Sequence, residues 1–217
     1  MTGRILIATL LLGLGTSPAS ADDNLWLGAK VGTLGFGGEA TWRPVPYLDL
    51  RAGANAYSLD KNGTEAGIDY LGEADLKTVY ATANLRVPLS PFRVTAGIFS
   101  NGNELSLTSR DTSTYQIGSQ TYTSDEVGTL RAGGGFDDWA PYVGVGFDFR
   151  LLDTLGLHID GGVLRQGSAV VTLSADGPIA SDPQFQQQLE AERVELQNSV
   201  EDYKLYPVVS VGLSFSF

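Results

Sequence analysis

The chain has 217 residues, 25 Asp+Glu against 14 Lys+Arg, a formal net charge of −11 and no cysteine. That acidity argues against a nucleic-acid partner, which needs a basic patch. The missing thiols exclude a disulfide framework and a thiolate metal site.

Residues 1–21, MTGRILIATLLLGLGTSPASA, carry Arg4, an apolar stretch from Ile5 to Leu14, and a polar end closing on Ala19-Ser20-Ala21. This is the build of a secretory signal peptide. The apolar stretch is too short to span a bilayer as a helix, which takes roughly 20 residues. Cleavage is expected after Ala21, leaving one domain over 22–217. No second long apolar run follows, so no transmembrane helix is expected.

From there the hydropathy alternates with period two, the mark of strands with different surroundings on their two faces. LWLGAKVG and FGGEATWR show it first. YLDLRAGANAY sets Leu48, Leu50, Ala52, Ala54 and Ala56 against Asp49, Arg51, Gly53 and Asn55. VYATANLRV sets Val79, Ala81, Ala83, Leu85 and Val87 against Tyr80, Thr82, Asn84 and Arg86. FRVTAGIF sets Val94, Ala96 and Ile98 against Arg93, Thr95 and Gly97. PYVGVGFDF, LHIDGGV and the final YPVVSVGLSFSF repeat the pattern. Eight strands are predicted, at 24–32, 36–44, 47–58, 68–88, 92–108, 138–151, 156–173 and 206–217.

Short connections (RPVPY, PLSPF, RLLDTLG) alternate with long ones at Asp60–Gly67, Arg110–Asp137 and Ala175–Leu205. Asn62-Gly63 reads as a hairpin turn, and Gly118-Ser119 as the tip of a second hairpin flanked by Tyr115, Ile117 and Tyr122. DPQFQQQLEAERVELQNSVEDY (182–203) reads as a helix capped by Asp182 with Pro183 in its first turn. Phe185, Leu189, Leu196, Val200 and Tyr203 form one apolar stripe, either a lid packed on the barrel mouth or neighbouring loops, or a docking face.

Short turns on one side and long loops on the other are the pattern of an all-β, eight-stranded antiparallel transmembrane β-barrel. The alternative is a soluble β-sandwich, with the apolar faces in its core. Against it stand the Gly, Thr, Asn and mixed charge of the polar faces, and the smooth aliphatics of the apolar ones.

The terminal alternation ending on Phe217 resembles the assembly signal of bacterial outer-membrane barrels. The mature chain resembles the small eight-stranded class of OmpA-type, OmpX-type and opacity-type proteins. The segment from Phe185 to Phe217 is also similar to a group of uncharacterised proteobacterial outer-membrane proteins. The resemblance implies residence in the bacterial outer membrane, with lipid and lipopolysaccharide around the barrel. It also implies recognition of the last strand by the barrel-assembly machinery. It leaves activity open, since this superfamily hosts adhesins, stabilisers, channels and lipid-modifying enzymes. Unlike in the OmpA pattern, no peptidoglycan-binding domain is expected after the barrel, which is read as ending at Phe217.

The inward faces collect Lys30, Glu39, Arg43, Asp49, Arg51, Arg86, Asp148 and Asp160. With eight strands the lumen is just wide enough for side chains, so these charges predict a plug of ion pairs, a polar conduit being the alternative. His158, the one histidine, faces inward near the short-turn end, two residues before Asp160; it reads as structural, without the outer-rim position and close serine a lipid deacylase needs. Asp60, Asn62 and Glu65 echo a calcium loop but miss its spacing, and AGGGF (132–136) has no helix after it to form a phosphate loop. No catalytic, cofactor-binding or metal-ligating residue is assigned. The expectation is a monomeric, non-enzymatic barrel with a structural or surface-interaction role through its long loops. Alternatives are a narrow channel and, less favoured, a lipid-modifying enzyme.

Overall fold

The computed structural model describes residues 24–65, 68–110 and 113–216. The expected signal peptide and Phe217 lie outside the described residues. The strands in chain order are β1 (Leu25–Gly32), β2 (Gly35–Val45), β3 (Leu48–Glu65), β4 (Ile68–Arg86), β5 (Phe92–Asn101), β6 (Glu104–Arg110), β7 (Thr114–Ile117), β8 (Gln120–Thr123), β9 (Leu130–Gly135), β10 (Trp139–Arg150), β11 (Leu155–Arg165), β12 (Val170–Ala175) and β13 (Leu205–Ser216). Helix α1 (Ser124–Val127) follows β8, and α2 (Pro183–Val200) follows β12.

Eight of these strands close on themselves in the order β1-β2-β3-β4-β5-β10-β11-β13, all antiparallel, with β13 returning to β1 from Trp26↔Ser216 to Gly32↔Ser210. Closure pairs every backbone edge, as a wall in hydrocarbon requires. Around this wall Leu27, Trp42, Leu50, Val79, Leu85, Val94, Ile98, Val143, Val145, Ile159, Val211 and Leu213 point outward and are exposed. Their alternate neighbours Glu39, Asp49, Arg51, Asn84, Arg93, Thr95, His158 and Asp160 are buried inside. A soluble sandwich would bury the first set and expose the second.

Above the barrel the wall continues on one side only. Strand β6 pairs with the upper half of β4, β9 with β6, and β12 with β9. The pairing Thr78↔Asn101 runs on into Asp75↔Glu104 without a change of register, and Ser100↔Trp139 into Glu104↔Gly135 likewise. The expected strand 92–108 is thus β5 plus β6, interrupted at 102–103, and the expected 156–173 is β11 plus β12, interrupted at 166–169. The interruptions lie at one level, where Gly102 N–H bonds Lys77 O (2.8 Å) and Asp137 N–H bonds Gln166 O (3.1 Å).

Three expectations need correction. Asn62-Gly63 is no hairpin turn: Asn62 pairs with Leu71 and Gly63 with Tyr70 inside the β3–β4 ladder. The Asp60–Gly67 connection is therefore mostly strand, because a ladder this long is tied down on the far side of β4 by β6. Within Arg110–Asp137, Leu130–Gly135 forms β9 rather than loop; its glycines hid the period-two signal.

The hairpin at Gly118-Ser119 does form, with Tyr115↔Tyr122 paired and Gly118 at φ +58°, which glycine adopts without a Cβ clash. Its apolar side meets α2. Tyr115, Ile117, Val127, Phe185 and Leu189 are buried together, with Leu130 and Leu173 packed alongside. Helix α2 starts as its sequence dictates: the Asp182 carboxylate accepts from Gln184 N (2.8 Å) and Phe185 N (3.0 Å). It packs as a lid on loops and wall through Phe185 and Leu189, while Val194 stays exposed; the helix ends at Val200, short of the expected 203, so Tyr203 lies beyond the stripe and is exposed. Lower down, Gln197 covers the free edge of β12, accepting from Val171 N (2.9 Å) and donating to Ala169 O (2.6 Å).

Candidate functional site

Two regions carry chemistry, the lumen and the recess above it. In the lumen, six charges of alternating sign form one string across six strands. Lys30 Nζ lies 3.4 Å from Glu39, and Glu39 3.2 Å from Arg51 Nε. Arg51 Nη1 reaches Asp160 at 3.3 Å, Asp160 meets Arg93 Nη2 at 2.5 Å, and Arg93 Nε meets Asp148 at 3.0 Å. Tyr80 Oη donates to Glu39 at 2.6 Å, and Arg93 Nη1 donates to Asn84 Oδ1 at 3.1 Å. Nearer the short turns, Asp49 pairs with Arg43 (2.8 Å) and Arg86 (3.5 Å). Each charge taken from water here has an opposite neighbour, without which burial would cost several kcal/mol per ion.

Glycine on the facing strands makes the room. A Cβ at Gly146 would sit 2.7 Å from Arg93 Cζ, and one at Gly53 2.5 Å from Tyr80 Oη. Gly212 lies against the His158 ring for the same reason. His158 is 2% exposed, with Nε2 3.4 Å from Glu39 Oε1. On the outer side of the charge string the lumen turns apolar: Tyr80 and Phe99 stack at 4.8 Å, Tyr142 lies 5.3 Å from Phe99, and Leu34, Leu164 and Val208 complete the layer. A cavity of about 20 Å³ lies between the charged and apolar layers, space for about one water.

All eight charges expected to face the lumen do so, and the string joins five of them. Sequence reading left out Arg93, the fully buried centre of the network, although its parity with Thr95 and Gly97 places it inside. It also left out Arg150, on the parity of Asp148.

The recess lies above. In the tall strands the apolar face changes sides at the level of the interruptions. Along β4 the outward residues are Val79, Ala81, Ala83 and Leu85 below, but Glu73, Asp75 and Lys77 above. Inward, Leu76 and Ala74 replace Thr82 and Asn84. Strand β3 changes from outward Leu50, Ala52 and Ala54 to inward Tyr57 and Leu59, and β6 turns Leu105 and Leu107 inward while Ser106 faces out. Polar out and apolar in is the pattern of a wall in water, so the inversion marks where lipid ends. Phe36 and Trp139, both exposed, ring that level, and Trp42, Phe149 and Phe215 ring the opposite end, as aromatic girdles do. Leu59, Leu105 and Leu107 remain 45–48% exposed on the inner face.

A closed eight-stranded barrel with a lipid-compatible belt, a polar lumen and water-adapted strands at one end defines the class: this is an outer-membrane β-barrel protein. Solved structures agree. The chain is similar to CarO2 of Acinetobacter baumannii (24% identity, TM-score 0.60) and to CarO of the same organism (25%, 0.58), covering 89% of this chain and 98% of each. A major outer membrane protein from Thermus thermophilus shares the fold at 16% identity and TM-score 0.50, covering 89% of this chain and 99% of that one. No protein-family model and no curated protein matches the sequence.

Proposed function

We propose that this barrel is a non-enzymatic, monomeric surface protein whose working part is the wall and recess above the membrane. The membrane-spanning part serves as a sealed stake. The observation that carries this reading is the inversion of sidedness. An ordered, apolar-lined surface of Tyr57, Leu59, Leu105 and Leu107 stands outside the lipid, above a lumen filled by paired charges and stacked aromatics. Lipopolysaccharide surrounds it there, and the last strand is the element that engages the assembly machinery. The short-turn end faces the periplasm.

The competing reading is a narrow channel, and the paired charges and packed aromatic layer across the mid-lumen speak against it. Planar-bilayer recording on the purified barrel tests this directly: a silent bilayer is expected, and reproducible conductance steps would replace the sealed stake with a channel. Mass spectrometry of outer-membrane lipids from expressing cells tests the absence of enzyme activity. An altered acyl-chain profile would overturn it.

A further inference from the structure

The periplasmic end of the lumen holds a cavity of about 110 Å³, floored by Glu39 and His158 and rimmed by Arg43, Arg86 and Arg150. Its charges do not cancel. Deeper in, Lys30, Arg51 and Arg93 balance Glu39, Asp148 and Asp160. At the rim the single carboxylate of Asp49 serves both Arg43 and Arg86. Arg150 makes no ion pair among the described residues; its guanidinium lies over the Trp26 ring, 5.6 Å from the centroid. Among the described residues of this rim, three guanidiniums stand against the one carboxylate of Asp49. At the floor His158 is buried, its Nε2 turned to Glu39 Oε1 at 3.4 Å rather than into the cavity.

We infer that this vestibule binds a tetrahedral oxyanion of phosphate size, either as a free ion or as the phosphate of a lipid headgroup whose remainder stays outside. Guanidinium forks match the oxygen spacing of phosphate and stay charged at any working pH. The low-dielectric wall strengthens their attraction over that of the same groups in water. The volume exceeds the roughly 10–15 Å³ that a single water needs several-fold. The site stands apart from the outer recess and holds whether or not the recess has a partner.

Trp26 lines the cavity and reports on it. With Trp42→Phe and Trp139→Phe it is the only indole of the chain, which has three. The full barrel, refolded in a maltoside detergent, is titrated with inorganic phosphate and, separately, with sodium chloride at matched ionic strength. A saturable change in Trp26 emission is expected with phosphate alone. Arg150→Gln removes one charge-assisted contact and should shift the midpoint by about tenfold or more. Arg165→Gln, at the other end of the barrel, leaves it in place. Both positions are exposed, so both variants fold, and the heat-modified gel band checks this. In phosphatidylglycerol vesicles, emission already shifted and deaf to added phosphate identifies the headgroup as the source. Emission that still responds identifies the free ion. No saturable response in either medium, or an unchanged midpoint in Arg150→Gln, overturns the site.

Discussion

Arg93 shows how one residue ties sequence to stability here. It is 0% exposed and spends its guanidinium on Asp160, Asp148, Asn84 and Thr95, from four strands including its own. Replacing it with Met leaves the shape nearly filled but strips Asp148 of its cation and Asp160 of one of two. Breaking a buried pair from one side costs about 3–5 kcal/mol, so Arg93→Met should lose that much in urea unfolding of the refolded barrel. The surface offers the contrast. Lys77 pairs with Asp75 at 3.8 Å, but the two side chains are 69% and 45% exposed, and solvent screens such a pair. Lys77→Met should therefore stay within about 0.5 kcal/mol of the parent. Equal losses in the two variants would mean that the charge string does not hold the barrel together.

Strands carry the depth information. Ala81 and Ser106 both face outward, one below the inversion and one above it. Ala81→Arg places a charge in mid-membrane, where it costs about 2–4 kcal/mol, while Ser106→Arg meets water, with Glu73 across the pair. Folding into liposomes should be impaired by the first and not by the second; matching behaviour would remove the lipid boundary from this level. The edge of β12 makes a second test. Gln197→Ala uncovers Val171 N–H and Ala169 C=O, so amide exchange at Val171 should accelerate while that of the β11–β13 ladder holds. The same scale explains what was legible in the sequence. Strands with lipid on one face advertise themselves by strict alternation, and all eight barrel strands begin within one residue of their expected starts, while the outer ends of β3, β5 and β11 differ from expectation by seven, seven and eight residues. The upper wall did not emerge as a separate layer, since its alternation has the same period and only the phase of the apolar face changes. Strand β9 went unseen because Gly133, Gly134 and Gly135 carry no side chain to alternate. The capped helix was readable because Asp182, Pro183 and the Phe185–Leu189 spacing act locally. The charge string was readable only as a set of inward positions, since which acid meets which base depends on how the barrel closes.

For the molecule as a whole, everything above the inversion must lie on one side of the membrane, and the short turns on the other. The connections fix this. An even number of crossings returns β13 to the side where β1 begins, and Trp26↔Ser216 pairs the two ends directly. The β7–β8 hairpin, α2 and the upper wall pack into one body through Phe185, Leu189 and Ile117, so they cannot be divided between compartments. On the far side, the turn between β4 and β5 lifts Leu89 fully into solvent at φ +60°. The native chain has no cysteine, so single substitutions report without background. Ser119→Cys and Asn198→Cys, both exposed and neither in the buried cluster, should react with a membrane-impermeant maleimide on intact cells. Leu89→Cys should react only after the outer membrane is breached. Reversal of that order would turn the barrel over, put the recess in the periplasm and remove the surface role. Labelling of Ser119→Cys without Asn198→Cys would break the single packed body on which the recess depends.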